Sequence, residues 1–80
     1  MIEGRQIRAA RGLLGWSRSD LIEASGVSMS ALLRLEGAQA DSRSSTLNKV
    51  IAALNAAGIE FINDGQNGVG VLVRPVSDAD

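Results

Sequence analysis

Gly15, Gly26, Gly37 and Gly58 constrain the fold more than any other residues, because each closes a short stretch with helical apolar spacing. Glycine enters the left-handed region without steric cost and is the commonest residue just past a helix end. The first stretch, residues 5–14, repeats Ile7, Ala10 and Leu14 along one face, which predicts an amphipathic helix. Gly12 inside it costs about 1 kcal/mol relative to alanine. Ser17 followed by Asp20 has the form of a capping box, opening a helix from 18 to 24 or 25 with Leu21 and Ala24 inward. Ser28 caps the next helix, 29–36, whose buried stripe is Ala31, Leu32 and Leu35. Only Ser25-Gly26-Val27-Ser28 separates these two helices. A tight glycine-containing turn between two short helices predicts a large crossing angle, the helix-turn-helix arrangement.

Residues 37–44 have no apolar period and read as a loop. Ser44 or Ser45 caps a further helix carrying Leu47, Val50, Ile51 and Leu54, which ends at Gly58. Beyond it the period shortens. Residues 59–62 and 69–73 read as strands around the turn-rich segment 63–68, Pro75 ends the second, and 77–80 is an acidic tail. The expected fold is mainly α: a four-to-five-helix domain with a C-terminal two-stranded β-hairpin. It forms one domain over residues 1–80, with a helical core at 5–58, the helix-turn-helix at 18–36, the hairpin at 59–74 and a tail at 75–80. Ile2-Glu3-Gly4-Arg5 spells a protease-processing sequence and reads as coincidence, since cleavage after Arg5 would remove it.

Composition narrows the chemistry. A chain of 80 residues holds one small domain and buries a modest core. With Cys 0 and His 0, disulfides, Cys/His zinc sites, thiol nucleophiles and histidine bases are excluded. The remaining Asp, Glu, Ser, Lys and Arg form no acid–base or nucleophilic pattern, so no enzyme, cofactor or metal is expected. No apolar run reaches the roughly 18 residues of a membrane span, and no secretory signal pattern opens the chain. A cytoplasmic protein without a membrane partner is the expectation.

Trp16-Ser17, Leu21, Gly26-Val27-Ser28, Leu32 and Leu35-Glu36 together resemble the phage-repressor-like (XRE, or Cro/C1-type) helix-turn-helix family. Ile7, Arg11 and Gly15 extend the resemblance into the first helix, and Thr46-Leu47 and Val50-Ile51 into the fourth, covering about residues 6–61. It implies a double-stranded DNA-binding regulator, a dimeric repressor that reads an operator through the major groove with helix 29–36. Base edges would then meet Ser28, Met29, Ser30, Leu33 and Arg34. Arginine can take guanine O6 and N7 together, and apolar side chains suit thymine methyl groups. Phosphates would meet Arg5, Arg8, Ser17, Arg18, Arg43 and Ser44, with the helix starts at 17 and 44 adding backbone N–H groups. Arg11 and Glu36 match a pair that forms a structural salt bridge in the resembling repressors.

Two residues depart from the family pattern. Arg18 stands where glutamine is usual, and Ile22 stands where a small residue is usual, so Ala24 and Ala31 would have to supply space. A two-stranded hairpin is marginal in water and must pack on its own chain or on a second one. Val69, Val71 and Val73 form its apolar face and are the expected homodimer interface; a hairpin that caps only its own core is the alternative. Met29 and Leu33 on the outer face of helix 29–36 equally suit a protein-interaction module on the same fold, antitoxin-like or partner-binding. RNA is disfavoured, because Trp16 and Phe61 are the only aromatics and both are expected to be buried. The net charge of −1 does not oppose DNA once divided. Residues 1–50 carry seven basic and five acidic side chains, a net +2, whereas residues 51–80 carry one basic and four acidic, a net −3.

Overall fold

The structure, a computed structural model, describes residues 2–37 and 44–75. Among these the chain is mainly helical, and an antiparallel hairpin follows the helices: α1 (Gly4–Leu14), α2 (Arg18–Ser25), α3 (Met29–Glu36), α4 (Ser44–Ala56), β1 (Ile59–Asp64) and β2 (Gly68–Val73). Every helix and strand expected from the sequence is present, with ends within two residues of the expected positions. None of these helices is long and apolar enough to cross a membrane.

Helix α1 begins at Gly4 because Glu3 supplies its N-cap and Gln6 reaches back, accepting the Glu3 backbone N–H at 2.8 Å. Gly4 is buried, and a Cβ there would lie 2.8 Å from the Glu36 carbonyl oxygen and closer still to that of Leu35. Only glycine lets the start of α1 meet the end of α3 so closely. Gly15 closes α1 at φ 69°, with the Trp16 N–H returning to the Arg11 carbonyl at 2.9 Å as in a Schellman end.

The capping box of α2 is complete: Ser17 Oγ accepts the Asp20 N–H at 3.1 Å, and Asp20 accepts the Ser17 N–H at 2.8 Å. At the other end Gly26 turns the chain at φ 80°. Val27, 8% exposed, drops into the core from the link between α2 and α3. Ser28 Oγ then accepts the Ala31 N–H at 3.1 Å to start α3. Gly37, by contrast, ends α3 in an extended conformation at φ −81°.

The core is Ile7, Ala10, Leu21, Val27, Leu32, Leu35, Val50, Leu54 and Ile59, so all four helices and the first strand contribute to it. Ala24 is exposed, contrary to its expected inward place. At 100° per residue, Leu21, Ile22 and Ser25 share one arc of α2 from which Ala24 falls outside. Ile22 itself packs against the core, as does Ala31. Trp16 and Phe61 are half-buried, not buried as expected. Each is too large to be enclosed by so small a core, and each keeps one side in solvent.

In the hairpin, Ile59 pairs with Val73, Phe61 with Val71 and Asn63 with Val69. Register puts these six on one face. The core end of that face is covered: Ile59 is 3% exposed, and Phe61 and Val71 pack against the core. Val71 therefore packs on its own chain, whereas Val69 and Val73 stay 38% and 40% exposed. Asp64 holds the turn, accepting from the Gln66 N–H at 2.8 Å and from Asn67 Nδ2 at 2.6 Å. Those hydrogen bonds, the Gln66 backbone first, lower its pKa below the ordinary aspartate value.

Gln6 fixes the hairpin to α1. It is 2% exposed, and its Nε2 donates to the carbonyls of Ile62 at 3.1 Å and Gly70 at 2.9 Å, one on each strand. Its Oε1 accepts from Asn63 Nδ2 at 3.0 Å as well as from Glu3. A single buried amide thus caps a helix and bonds both strands. Gln6→Ala leaves those carbonyls short of a partner and is expected to cost about 1–3 kcal/mol. Amide exchange should accelerate more in β1 and β2 than in α3; equal acceleration in all three would contradict this role.

Candidate nucleic-acid interface

The outer face of α3 is open. Ser28, Met29, Ser30, Leu33 and Arg34, the five residues expected to meet bases, are all exposed, with Met29 at 43% and Leu33 at 46%. Met29, Ser30, Leu33 and Arg34 fall within one arc of α3 while Leu32 and Leu35 turn another inward, and Ser28 stands before the helix as its N-cap. Ser28 Oγ is committed to the helix cap and lies 3.3 Å from Ser30 Oγ, so it offers only its remaining hydrogen-bonding capacity. Arg34 has no ion pair or hydrogen bond among the described residues, and its guanidinium is free to donate.

The residues expected to meet phosphate differ in their surroundings. Arg8 is exposed on α1 and has no partner among the described residues. Arg5 is exposed but bonded through Nε to Glu3 at 2.6 Å, a pair that solvent screens. Ser17 is occupied by its capping box, although the α2 start it caps is exposed. Arg43 and the side chain of Ser44 lie outside the described residues, as does the rest of the 38–43 segment.

Arg18 has a place that sequence reasoning missed. Glu36, at the end of α3, has a side chain only 2% exposed and takes two arginines. Arg11 from α1 grips it with Nε to Oε2 at 2.6 Å and Nη2 to Oε1 at 3.2 Å, while its Nη1 donates to the Trp16 carbonyl at 3.3 Å. The expected Arg11–Glu36 salt bridge is therefore present and two-pronged. Arg18, in the first turn of α2, adds Nε to the same Oε1 at 2.9 Å. It lies on the Leu21–Ile22–Ser25 arc of α2, and that shared arc was the available signal. One carboxylate thus joins the first three helices. Gln6 was missed as well; its signal was its position three residues after the N-cap Glu3, where a side chain can close a capping box.

No protein-family model matches this sequence, and no curated protein matches it.

The two arginines on Glu36 differ in weight. Arg11 is 17% exposed and engages both oxygens, so its removal leaves a buried carboxylate with one partial partner. Arg11→Ala is expected to cost about 2–4 kcal/mol, below the full penalty of an unpaired buried charge because Arg18 remains. Arg18 is 43% exposed and screened, so Arg18→Gln should cost less than about 1 kcal/mol. Denaturant titration of both variants checks the order, and equal losses would contradict it.

Proposed function

We propose that this protein is a sequence-specific, double-stranded DNA-binding transcriptional regulator, a dimeric repressor acting in the cytoplasm. In this reading α2, the Gly26–Ser28 link and α3 form a helix-turn-helix, and α3 enters the major groove. One observation carries the reading: an exposed helix face bearing an unpaired arginine, Arg34, beside Ser30, Met29 and Leu33. Such a face combines a guanine-type fork with apolar contacts for thymine methyls. Arg8 and the open start of α2 supply phosphate contacts. The buried pairing of Arg11 with Glu36 supports it further, since it holds the end of α3 rigid against α1.

A second reading rests on Met29 and Leu33, whose exposure suits docking to another protein. Selection of bound duplexes from a random pool separates the two. DNA recognition predicts enriched palindromic half-sites, a preference that Arg34→Ala relaxes at a defined position at a cost of about 1–3 kcal/mol. It also predicts affinity that falls steeply with salt. No enrichment at any salt would favour the protein-interaction module.

Dimerisation through the exposed ends of the hairpin, Val69 and Val73, would set two α3 helices about 34 Å apart on successive turns of the groove. Both residues lie on the partly uncovered hairpin face, and a β-branched edge of this kind invites pairing. Val73→Lys should convert a dimer into a monomer in sedimentation while leaving the helical signal intact. A dimer that survives the substitution would move the interface to the helices.

A further inference from the structure

Arg18 donates a single hydrogen bond, from Nε to Glu36. Its two terminal nitrogens have no partner among the described residues, and the side chain is 43% exposed. Arg11 alone already satisfies both oxygens of Glu36, so the second guanidinium is not needed to neutralise the carboxylate. The three side chains together carry one surplus positive charge, held at a junction between the start of α2 and the end of α3.

We infer that Glu36 is a positioning residue: it holds Arg18 by Nε so that the terminal nitrogens form a fixed fork for one phosphodiester of the bound nucleic acid. The inference rests on the DNA-binding reading and deepens it: the phosphate contact expected of Arg18 is oriented by the carboxylate to which that arginine is already bonded. A guanidinium can do this because its donors point in different directions from one rigid plane. Nε faces inward to the carboxylate, and the outward edge offers two parallel N–H groups matched to two phosphate oxygens. Ordering the side chain beforehand lowers the entropy lost when the phosphate arrives. The same carboxylate fixes α1 through Arg11, so the fork keeps a set relation to the end of α3.

The test uses the full chain and a short mixed-sequence duplex, with affinity measured over roughly 50–200 mM salt. Arg18→Gln should make the slope of log affinity against log salt shallower by about 0.9 and lower affinity several-fold at low salt. Its melting temperature should stay within a few degrees of wild type. Arg18→Lys should recover the slope but only part of the affinity, because an ammonium is a single point and cannot hold Glu36 and grip two phosphate oxygens. An unchanged slope in Arg18→Gln, whether or not stability falls, would make Arg18 a brace only and overturn the inference. Full affinity in Arg18→Lys would overturn the orienting role of Glu36. If wild type binds no duplex at any salt, the DNA reading fails and takes the inference with it, an outcome distinct from both.

Discussion

A buried carboxylate governs how the first three helices meet. Glu36 is 2% exposed, and taking an isolated carboxylate out of water costs several kcal/mol. That cost is offset only by charge-assisted hydrogen bonds of good geometry, and Arg11 supplies two of them from α1 while Arg18 supplies a third from α2. Apolar packing of Leu32 and Leu35 would tolerate some sliding of α3, since dispersion and burial have little directional preference. The carboxylate does not, because each of its oxygens needs donors at fixed angles. The end of α3 is thereby placed against α1 and α2 with a precision that the small core alone could not impose.

Gly4 and Gln6 extend this control to the other end of the molecule. The missing side chain at Gly4 admits the carbonyls of Leu35 and Glu36 against the start of α1. Two residues further on, Gln6 bonds both hairpin strands. The first turn of α1 therefore touches the end of α3 on one side and the hairpin on the other. A two-stranded sheet has too little surface to be stable alone, and here its order depends on a buried amide as well as on Ile59, Phe61 and Val71. Displacing the hairpin would disturb Gln6 and, through the α1 cap, the contact that Gly4 makes with α3.

Elements were legible in the sequence because they follow from local rules. Ser17, Ser28 and Gly26 act within a few residues of themselves, so capping chemistry and apolar period gave α2 and α3 their ends. The Arg11–Glu36 bridge was legible only through family resemblance, for nothing local links residues twenty-five apart. The bond from Arg18 to Glu36 and the place of Gln6 were not anticipated, since each residue has two plausible fates that local pattern does not separate. A surface arginine and one that joins a buried carboxylate look alike until the helix faces are known. A glutamine in the first turn of a helix is ordinary until a strand arrives 56 residues later to meet it. Ala24 failed for a simpler reason: the spacing that pairs it with Leu21 is helical, but Ile22 and Ser25 turn the buried arc the other way.

These pairings also bear on how the proposed binding would be driven. Among the described residues, Arg5, Arg11, Arg18 and Arg74 all sit against carboxylates, leaving Arg8, Arg34 and Lys49 as the cations without an ion pair. Three of the seven basic side chains of residues 1–50 are thus uncommitted among the described residues. With so few, counterion release from one chain gives little non-specific affinity. Useful occupancy of DNA then requires doubling the contacts through a dimer, or drawing positive charge from arginines that are already bonded. Arg18 is the arginine suited to the second route, because Glu36 engages one of its nitrogens and the others have no partner among the described residues. In a protein this small the same ion pair would then serve stability and recognition together, and selection on either would act on both.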